Sequence, residues 1–586
     1  MHPCDTDIAM AFGVETEWPD GMDVLAMAGV RKESTLIHTK DGTVEFKIPR
    51  NFDEAMRSPD KEKWLEACRK ELDSHHEAGT WQLISFKDAI GDSKKKIVGS
   101  TWAFDLKRNA DGTISRYKAR LCAQGFSQIE NVDYVTTYSN ACHHTTLRVL
   151  FAVAAGMGLH LSGADVHCAY LYGFIEDNIT IIMRPPRGFE QYDEDGHVML
   201  CKLIRSIYGL RQSGARWEAR LSQHLIKIGF VRSECDPCLY KISRDGEVLL
   251  LCCYVDDLAF ASSSAKLRAE IYDELSKEFK LKDTGALTWM LNTNVSQDLN
   301  AGTVTISQKL YIDDLIAKFF PNGLPNEKRR LTPSDDSITE LAPLGEGEMI
   351  DPLYRQGVGK LVWLVSISRP DLAYTLSMLS RHCQAAGKRH MEHLMRALAY
   401  VGRTSGFKIT YSKDRLRKLW GLFESTSSFK GDVVDDLTLI AMTDSSHGGE
   451  RPMAGSLHLL YGGPVAWRGY RHATTPIASA QGEYLAASNA TVETLSIRLI
   501  AKFMGLTIEA PTITFCDNKA AVQLADSDCS SKRMKHIATK IYFLREQIAD
   551  KAITMLHIVA AGQLADIFTK PLAPGVFHAI RVFLLG

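Results

Sequence analysis

The spacing of hydrophobic and polar positions predicts a chain of alternating helical and extended segments. Up to about Lys47 the periodicity is weak. Beyond it, apolar residues such as Trp64 and Leu72 recur at helical spacing among charges. Short strands and turns follow, and Ala110-Asp111-Gly112 predicts the turn of a hairpin. The apolar run from Thr145 to Gly158 predicts a buried helix.

The pattern changes twice more toward the C-terminus. Residues from about 265 to 430 have mostly helical spacing, and after about Val433 the pattern predicts three strands, a long helix, a strand and further helix. We therefore divide the chain into five segments: a linker or leader at 1–47, a mixed α+β unit at 48–265, a mostly helical unit at 266–432, an α/β unit at 433–575 and a C-terminal tail at 576–586.

Length and composition set broad limits on function. A chain of 586 residues is too long for one core, which indicates several domains. Its formal net charge of −1 requires any nucleic-acid surface to be local and offset by acidic residues elsewhere. The 13 cysteines are an odd number without framework spacing, and no secretory leader is apparent. We therefore expect reduced thiols, an intracellular protein and no membrane association.

Two adjacent carboxylates interrupt an otherwise apolar strand. The strand runs from Leu249 to Ala261 and carries Asp256 and Asp257, whose burial without a partner would be costly. The arrangement is explained if both lie at a hairpin turn and hold Mg²⁺, since phosphoryl transfer uses two ions roughly 3.5–4 Å apart. Asp165 supplies a third carboxylate, because apolar residues alternate into it as in a strand that ends at a site. For Tyr254-Val255-Asp256-Asp257 taken alone, an acidic surface turn is the alternative.

A second set of four acids lies near the C-terminus. Asp444 and Asp517 each end an apolar strand, Glu483 lies early on a helix, and Asp566 lies in a later helical segment. One acid from each of four elements is what a two-metal nuclease needs. Any one of them alone could be a surface residue or a helix cap.

Several ordered motifs carry a family resemblance, and they are Tyr117–Leu121, Ala123–Gln128, Ile207–Ser213, Phe279–Gly285, Ser368–Leu372, Lys535–Ile537 and Thr569–Leu572. Together with the two sets of acids, they resemble the reverse transcriptase and ribonuclease H region of copia-type retrotransposon Pol polyproteins, over roughly residues 50 to 575. The resemblance implies an α+β right-hand polymerase with fingers and palm at 48–265, a helical thumb and connection at 266–432 and a C-terminal α/β ribonuclease H-like domain.

The resemblance also implies how an incoming nucleotide would be bound. Lys118 and Arg120 would contact the triphosphate, where fixed positive charge offsets negative charge. Tyr170 would clash with a ribose 2′-hydroxyl and so select deoxynucleotides, and Gln212 would contact the nucleotide near its sugar. As alternatives, Lys118 and Arg120 are solvated charges on a strand, and Tyr170 is a core aromatic.

The implied cofactor is Mg²⁺, with Mn²⁺ as the alternative ion, at two ions per active site. The catalytic and metal-binding residues would be Asp165, Asp256 and Asp257 with the main-chain carbonyl of Val166 at the polymerase site, and Asp444, Glu483, Asp517 and Asp566 at the ribonuclease H site.

The expected partners are those generic to the class: an RNA template, a DNA primer, deoxynucleoside triphosphates and the RNA–DNA hybrid. Other parts of a retroelement polyprotein, such as integrase and capsid, are further expected partners in a pathway that leads to DNA integration. We expect the protein in cytoplasmic virus-like particles, with access to the nucleus.

Some positions depart from the family pattern. The family usually has Gln at Gly163, Asn at Tyr172 and Pro-Arg at Gly214-Ala215, and the sequence after Asp444 also differs. None of these departures removes a predicted metal ligand, but Gly214-Ala215 puts contacts near Gln212 in doubt. A catalytically inactive retroelement relic, at most a nucleic-acid-binding protein, is therefore the competing hypothesis.

Overall fold

A computed structural model describes residues 34–39, 42–90, 97–108, 113–325, 332–345, 349–429, 438–447, 451–526 and 537–586. The predicted hairpin turn Ala110-Asp111-Gly112 and the Lys535-His536 part of one family motif lie outside these residues.

Strands and helices are numbered here in chain order within the described residues. The strands are β1 (Ser34–Thr39), β2 (Gly42–Lys47), β3 (Trp81–Ile84), β4 (Ser100–Arg108), β5 (Ile114–Ala123), β6 (His160–Val166), β7 (Ile182–Met183), β8 (Leu200–Leu203), β9 (Val231–Arg232), β10 (Leu239–Arg244), β11 (Glu247–Tyr254), β12 (Asp257–Ser262), β13 (Leu281–Ala286), β14 (Trp289–Met290), β15 (Thr293–Asp298), β16 (Thr303–Ser307), β17 (Ile409–Tyr411), β18 (Leu439–Ser445), β19 (Met453–Leu460), β20 (Gly463–Arg471), β21 (Thr512–Cys516) and β22 (Ile553–His557). The helices are α1 (Phe52–Arg57), α2 (Lys61–Ala78), α3 (Phe86–Ile90), α4 (His144–Met157), α5 (Ser213–Lys227), α6 (Ala265–Ser276), α7 (Lys309–Phe319), α8 (Tyr354–Ile367), α9 (Ala373–Ser380), α10 (Lys388–Arg403), α11 (Lys413–Thr426), α12 (Ser479–Met504), α13 (Lys519–Asp526), α14 (Ala538–Ala549) and α15 (Pro574–Leu585). None of these helices is both long and apolar enough to cross a membrane.

A six-stranded antiparallel sheet forms the centre of the first unit, in the order β13-β6-β12-β11-β10-β9. Both of its faces are covered, which explains the unbroken apolar run in β11. Leu249 and Leu251 lie in a core with residues of α5 and α6, whereas Leu250 and Cys252 lie in the opposite core with residues of α4. The sheet is therefore an internal platform whose strand ends carry the polar residues.

A separate hairpin of β4 and β5 packs against α2. Trp64 of α2 is fully buried, and its ring makes edge contacts with Phe104 at 5.2 Å and with Tyr117 at 4.6 Å between centroids. This packing fixes β5, which carries Lys118 and Arg120, against α2.

The C-terminal unit contains a five-stranded sheet in the order β20-β19-β18-β21-β22. Strands β18, β21 and β22 are parallel to one another, whereas β19 and β20 are antiparallel to their neighbours. Because β18 and β21 run in the same direction side by side, their carboxyl ends meet at one edge of the sheet. Helix α12 packs on this sheet and is buried along most of its length.

The structure corrects the predicted organisation at three places. Residues 34–47, predicted as linker or leader, contain the β1–β2 hairpin. Residues 266–432, predicted as mostly helical, also contain β13 and the four-stranded sheet β14-β15-β16-β17, whose strands are at most six residues long. The predicted tail at 576–586 is most of α15, whose Phe577, Ile580 and Leu584 are buried.

Helix α4 joins the first sheet to the C-terminal unit. Every residue from Thr146 to Gly156 is buried, so this helix has no solvent face. Arg148, which is 6% exposed, donates from Nε to the Val465 carbonyl at 2.7 Å. At Gly156 a Cβ atom would lie 2.0 Å from the ring of Tyr461, so the turn between β19 and β20 fits against the helix only at a glycine. The two units therefore share one continuous core.

A fully buried ion pair offers a stability test. Arg369 and Asp371 are each 1% exposed, with Nη2–Oδ2 and Nε–Oδ1 distances of 2.7 and 2.9 Å, and the Tyr400 hydroxyl donates to Asp371 at 2.6 Å. Asp371→Ala leaves the guanidinium buried without its counter-charge, so we expect a loss of about 3–5 kcal/mol in unfolding free energy, measured by urea denaturation. The exposed, ion-paired Asp414 provides the control, and a loss no larger than that of Asp414→Ala would contradict the prediction.

Candidate active sites

The first carboxylate group consists of Asp165, Asp256 and Asp257, and hairpin geometry brings these residues together. Asp257 pairs with Asp165 across β12 and β6, and it also pairs with Tyr254 across the β11–β12 turn. Val255 has φ of 55°, the left-handed conformation that allows this tight turn. The Val166 N–H donates to the Asp256 carbonyl at 2.8 Å, which ties the turn to β6. The three acids thus share one end of the sheet.

An aromatic cluster supports this turn from below. The Trp217 indole donates to the Val255 carbonyl at 2.7 Å, and its ring lies 5.3 Å from that of Phe279. Tyr172 lies 5.1 Å from Phe279 and accepts a hydrogen bond from the Lys280 N–H at 2.7 Å. Tyr172, where the family usually has Asn, is therefore packed and hydrogen-bonded within the aromatic cluster that contacts the turn.

Burial and mutual repulsion raise pKa values in the first carboxylate group. Burial, and then the charges of Asp256 and Asp165, raise the pKa of Asp257 to about 7. Burial also raises the pKa of Asp256. Such crowded acids are the ligands that Mg²⁺ prefers. In the described part of the chain, however, the sets of three possible ligands whose ligand atoms all lie within 4.8 Å of one another do not include Asp165, Asp256 or Asp257, so here a metal would require side-chain adjustment.

Two basic side chains of β5 and two tyrosines from other segments lie beside the first carboxylate group. Burial, and then the neighbouring Arg120, lower the pKa of Lys118 to about 8. The Arg120 guanidinium lies 5.3 Å from the centre of the Tyr208 ring, and Tyr170 makes an edge contact with the same ring at 4.9 Å. Lys118, Arg120 and Tyr170 are all half-buried, so they combine packing with access to the space near Asp256.

The structure does not favour the predicted nucleotide contact of Gln212. Its side chain has no exposed surface, accepts a hydrogen bond from Gln128 at 3.1 Å and donates to the Asp133 carbonyl at 2.8 Å. Both ends of the amide are therefore used within the fold. Gln212 holds the loop before α5 against the segment after β5, which places it behind the site.

Gly163 and Gly214, two positions where the family usually has a larger residue, are closely packed in this structure. A Cβ atom at Gly163 would lie 2.6 Å from Thr284 Oγ1, and one at Gly214 would lie 2.5 Å from Ser139 Oγ. Both positions therefore lack room for a side chain unless a neighbour moves.

The second carboxylate group consists of Asp444, Glu483, Asp517 and Asp566. Asp444 lies on β18, Asp517 directly follows β21, Glu483 lies in the second turn of α12, and Asp566 lies in the 3-10 helix Leu564–Phe568. Ligand oxygens of Asp444, Asp517 and Asp566 all lie within 4.8 Å of one another. Asp444 and Asp517 meet because β18 and β21 are parallel neighbours whose carboxyl ends lie at the same edge of the sheet. The structure thus brings together the four acids that the sequence analysis named for this site.

Burial, reinforced by mutual repulsion, raises pKa values in this second group. Burial, then Asp444 and Asp517, raise the pKa of Glu483 to about 9, and burial followed by Asp444 raises the pKa of Asp566 to about 7. The Ser445 N–H donates to Glu483 Oε1 at 3.0 Å and fixes its direction. An open pocket of about 450 Å³ leads to the group. Hard oxygen ligands that repel one another in an accessible pocket fit a pair of divalent cations.

Two neighbours of this group were not predicted as site residues. The Thr569 hydroxyl donates to Asp444 Oδ2, and Lys570 Nζ lies 2.8 Å from Asp566 Oδ1. The sequence does contain a signal for Lys570: it follows Asp566 by four residues, and one helical turn would bring the two side chains together.

We expect the metal-free protein to lose stability as pH rises through the folded pKa of Glu483. The ordinary pKa of 4.5 is raised to about 9, so between these values the folded state holds a proton that the unfolded state has released. The melting temperature in EDTA should fall from about pH 5 to pH 9, and Asp566 contributes with the same sign. Glu483→Gln should show a shallower fall, and a slope equal to that of the wild type would contradict this prediction.

The chain is similar in sequence to known proteins over most of its length. Residues 79–334 match the family model described as reverse transcriptase (RNA-dependent DNA polymerase). The retrovirus-related Pol polyprotein from transposon RE1 of Arabidopsis thaliana is 29% identical over 560 residues, which cover 95% of this chain and 36% of the relative. That from transposon TNT 1-94 of Nicotiana tabacum is 26% identical, covering 91% of this chain and 38% of the relative. The chain thus spans about a third of the length of these relatives.

A solved protease-reverse transcriptase of prototype foamy virus aligns with 85% of this chain and 53% of that chain, at 10% identity and a TM-score of 0.23, too low to establish a shared fold. The resemblance predicted from the sequence motifs is confirmed by the sequence comparisons.

Proposed function

We propose that this chain, which carries a reverse transcriptase domain and is similar over most of its length to copia-type Pol polyproteins, copies RNA into DNA and degrades the RNA strand of the resulting hybrid. The observation that carries the polymerase proposal is the strand register that sets Asp165 opposite Asp257, next to the turn that holds Asp256.

The polymerase proposal assigns a role to each side chain that lies at or beside this end of the sheet. The carboxylates of Asp165, Asp256 and Asp257 would hold Mg²⁺, which, when bound, stabilises negative charge on the reacting phosphate. Lys118 and Arg120 bind and orient the triphosphate. Tyr170, which packs on Tyr208, would exclude a 2′-hydroxyl by contact.

The nuclease proposal depends on the second carboxylate group. Asp444, Glu483, Asp517 and Asp566 would hold two Mg²⁺ ions, with Mn²⁺ as an alternative, and bound ions supply an activated water and stabilise the leaving oxygen. The Ser445 N–H keeps Glu483 aimed at the group. The sheet order, with parallel β18, β21 and β22 beside antiparallel β19 and β20, supports a ribonuclease H-like domain.

In the same proposal, the first sheet serves as the palm, the β4–β5 hairpin as part of the fingers, and residues 266–432 as thumb and connection. The partners are then an RNA template, a DNA primer, deoxynucleoside triphosphates and the hybrid that they form.

Purified full-length chain should extend a labelled DNA primer on an RNA template with Mg²⁺, and should shorten the labelled RNA of a preformed RNA–DNA hybrid. EDTA should stop both reactions. If folded protein, verified by circular dichroism, binds the hybrid but performs neither reaction, the inactive-relic hypothesis replaces this proposal.

A further inference from the structure

Lys570 lies inside the second carboxylate group. Its Nζ atom is 2.8 Å from Asp566 Oδ1 and 3.9 Å from Asp444 Oδ2. Its side chain is 42% exposed and lines the pocket that also contains Glu483 and Asp517. The ammonium group thus reaches both the buried acids and the solvent.

The oxygens near Lys570 belong to the residues that a metal ion would use. Asp444, Asp517 and Asp566 form the set whose ligand atoms lie within 4.8 Å of one another. An ammonium group and a divalent cation repel each other, so the same carboxylates cannot hold both closely. The four-carbon lysine side chain can leave without backbone movement because part of it is already exposed.

The contrast with Arg369 and Asp371 shows that this contact is not built as a permanent ion pair. That pair has two nitrogen–oxygen contacts and side chains that are 1% and 0% exposed. Lys570 makes one close contact and stays partly in solvent.

We propose that Lys570 is an exchangeable cation of the nuclease site. It neutralises Asp444 and Asp566 in the ion-free protein, yields its place when Mg²⁺ binds, and then pairs with a phosphate of the bound hybrid across the pocket. The phosphate step rests on the proposed nuclease function, whereas the exchange step depends only on the carboxylates.

The exchange step is tested by Mg²⁺ titration calorimetry on the full chain without nucleic acid. Lys570→Gln should bind Mg²⁺ at this site about tenfold more tightly than the wild type, because the competing cation is gone. It should also melt at a lower temperature in EDTA, whereas Lys570→Arg should melt like the wild type. Lys551→Gln, an exposed lysine just before β22 at the opposite end of the parallel strands, is the control. Unchanged or weaker Mg²⁺ binding by Lys570→Gln overturns the proposal.

The phosphate step is tested by the salt dependence of KM for the hybrid at saturating Mg²⁺. Lys570→Gln should lower the slope of log KM against log salt by about one, and Lys551→Gln should leave it unchanged. An unchanged slope in Lys570→Gln overturns the phosphate step. If wild-type protein cleaves no hybrid, the proposed nuclease function fails, while the calorimetry still decides the exchange.

Discussion

Asp257→Asn should reduce primer extension on an RNA template by about a thousandfold or more, and should leave hybrid degradation intact. The substitution keeps the size of the side chain and the backbone pairing with Asp165, but it removes a negative charge from a group that lies at the β11–β12 turn. Because burial and neighbouring acids already raise the pKa of Asp257 to about 7, its neutralisation relieves repulsion and should not unfold the protein.

The matched control for this variant is Asp245→Asn. Asp245 lies exposed in the turn between β10 and β11 with φ of 52°, a conformation that Asn adopts readily. It should extend primers at the wild-type rate. Extension by Asp257→Asn within about tenfold of the wild type would remove this carboxylate from the polymerase site.

Asp444→Asn should produce the opposite separation, with degradation of the hybrid RNA lost by about a thousandfold or more and primer extension retained. Asp444 shares the three-carboxylate set with Asp517 and Asp566, and its charge raises the pKa of Glu483 and of Asp566. Its loss removes a metal ligand and relieves repulsion at the same time.

Gel analysis of end-labelled RNA measures this loss, and Asp550→Asn, an exposed residue just after α14, serves as its control. A variant that loses both activities while it remains folded would contradict the assignment of separate sites. When Asp257→Asn and Asp444→Asn are mixed in one reaction, the first should supply hybrid degradation and the second should supply primer extension.

The sequence pattern singles out Asp444 and Asp517 because each lies at the end of an apolar strand or directly after it. The strands that lead to Asp444 and Asp517 are buried at every position, whereas Asp256 and Asp257 lie at the turn between the apolar strands β11 and β12. Alternation along a strand marks its faces, and a polar residue at its end marks an edge. Alternation also predicted the strand that ends at Asp165, but the register that sets Asp165 opposite Asp257 joins residues far apart in the chain, and spacing alone does not give it.

Other features depended on contacts between distant parts of the chain. Gln212 stands in a matching motif, but its amide is used by Gln128 and Asp133, about eighty residues earlier. Strands β15 and β16 are short, and the alternation of Val304 and Ile306 in β16 covers only five residues, so it was not distinguished within a region of mostly helical spacing. Lys570 is the exception, because its spacing from Asp566 was local and could have been predicted.

The buried helix α4 also has a consequence for the order in which the protein acquires its shape. The Arg148 guanidinium donates to the carbonyl of Val465, which lies 317 residues later and is therefore synthesised much later. At about 5–20 residues per second, a ribosome needs roughly 15–60 s to reach that point. During this interval one face of α4 has no cover, so nascent chains should be most vulnerable to proteases and most dependent on chaperones before β20 emerges. Pulse-labelled synthesis with brief protease treatment would record the moment at which this vulnerability ends.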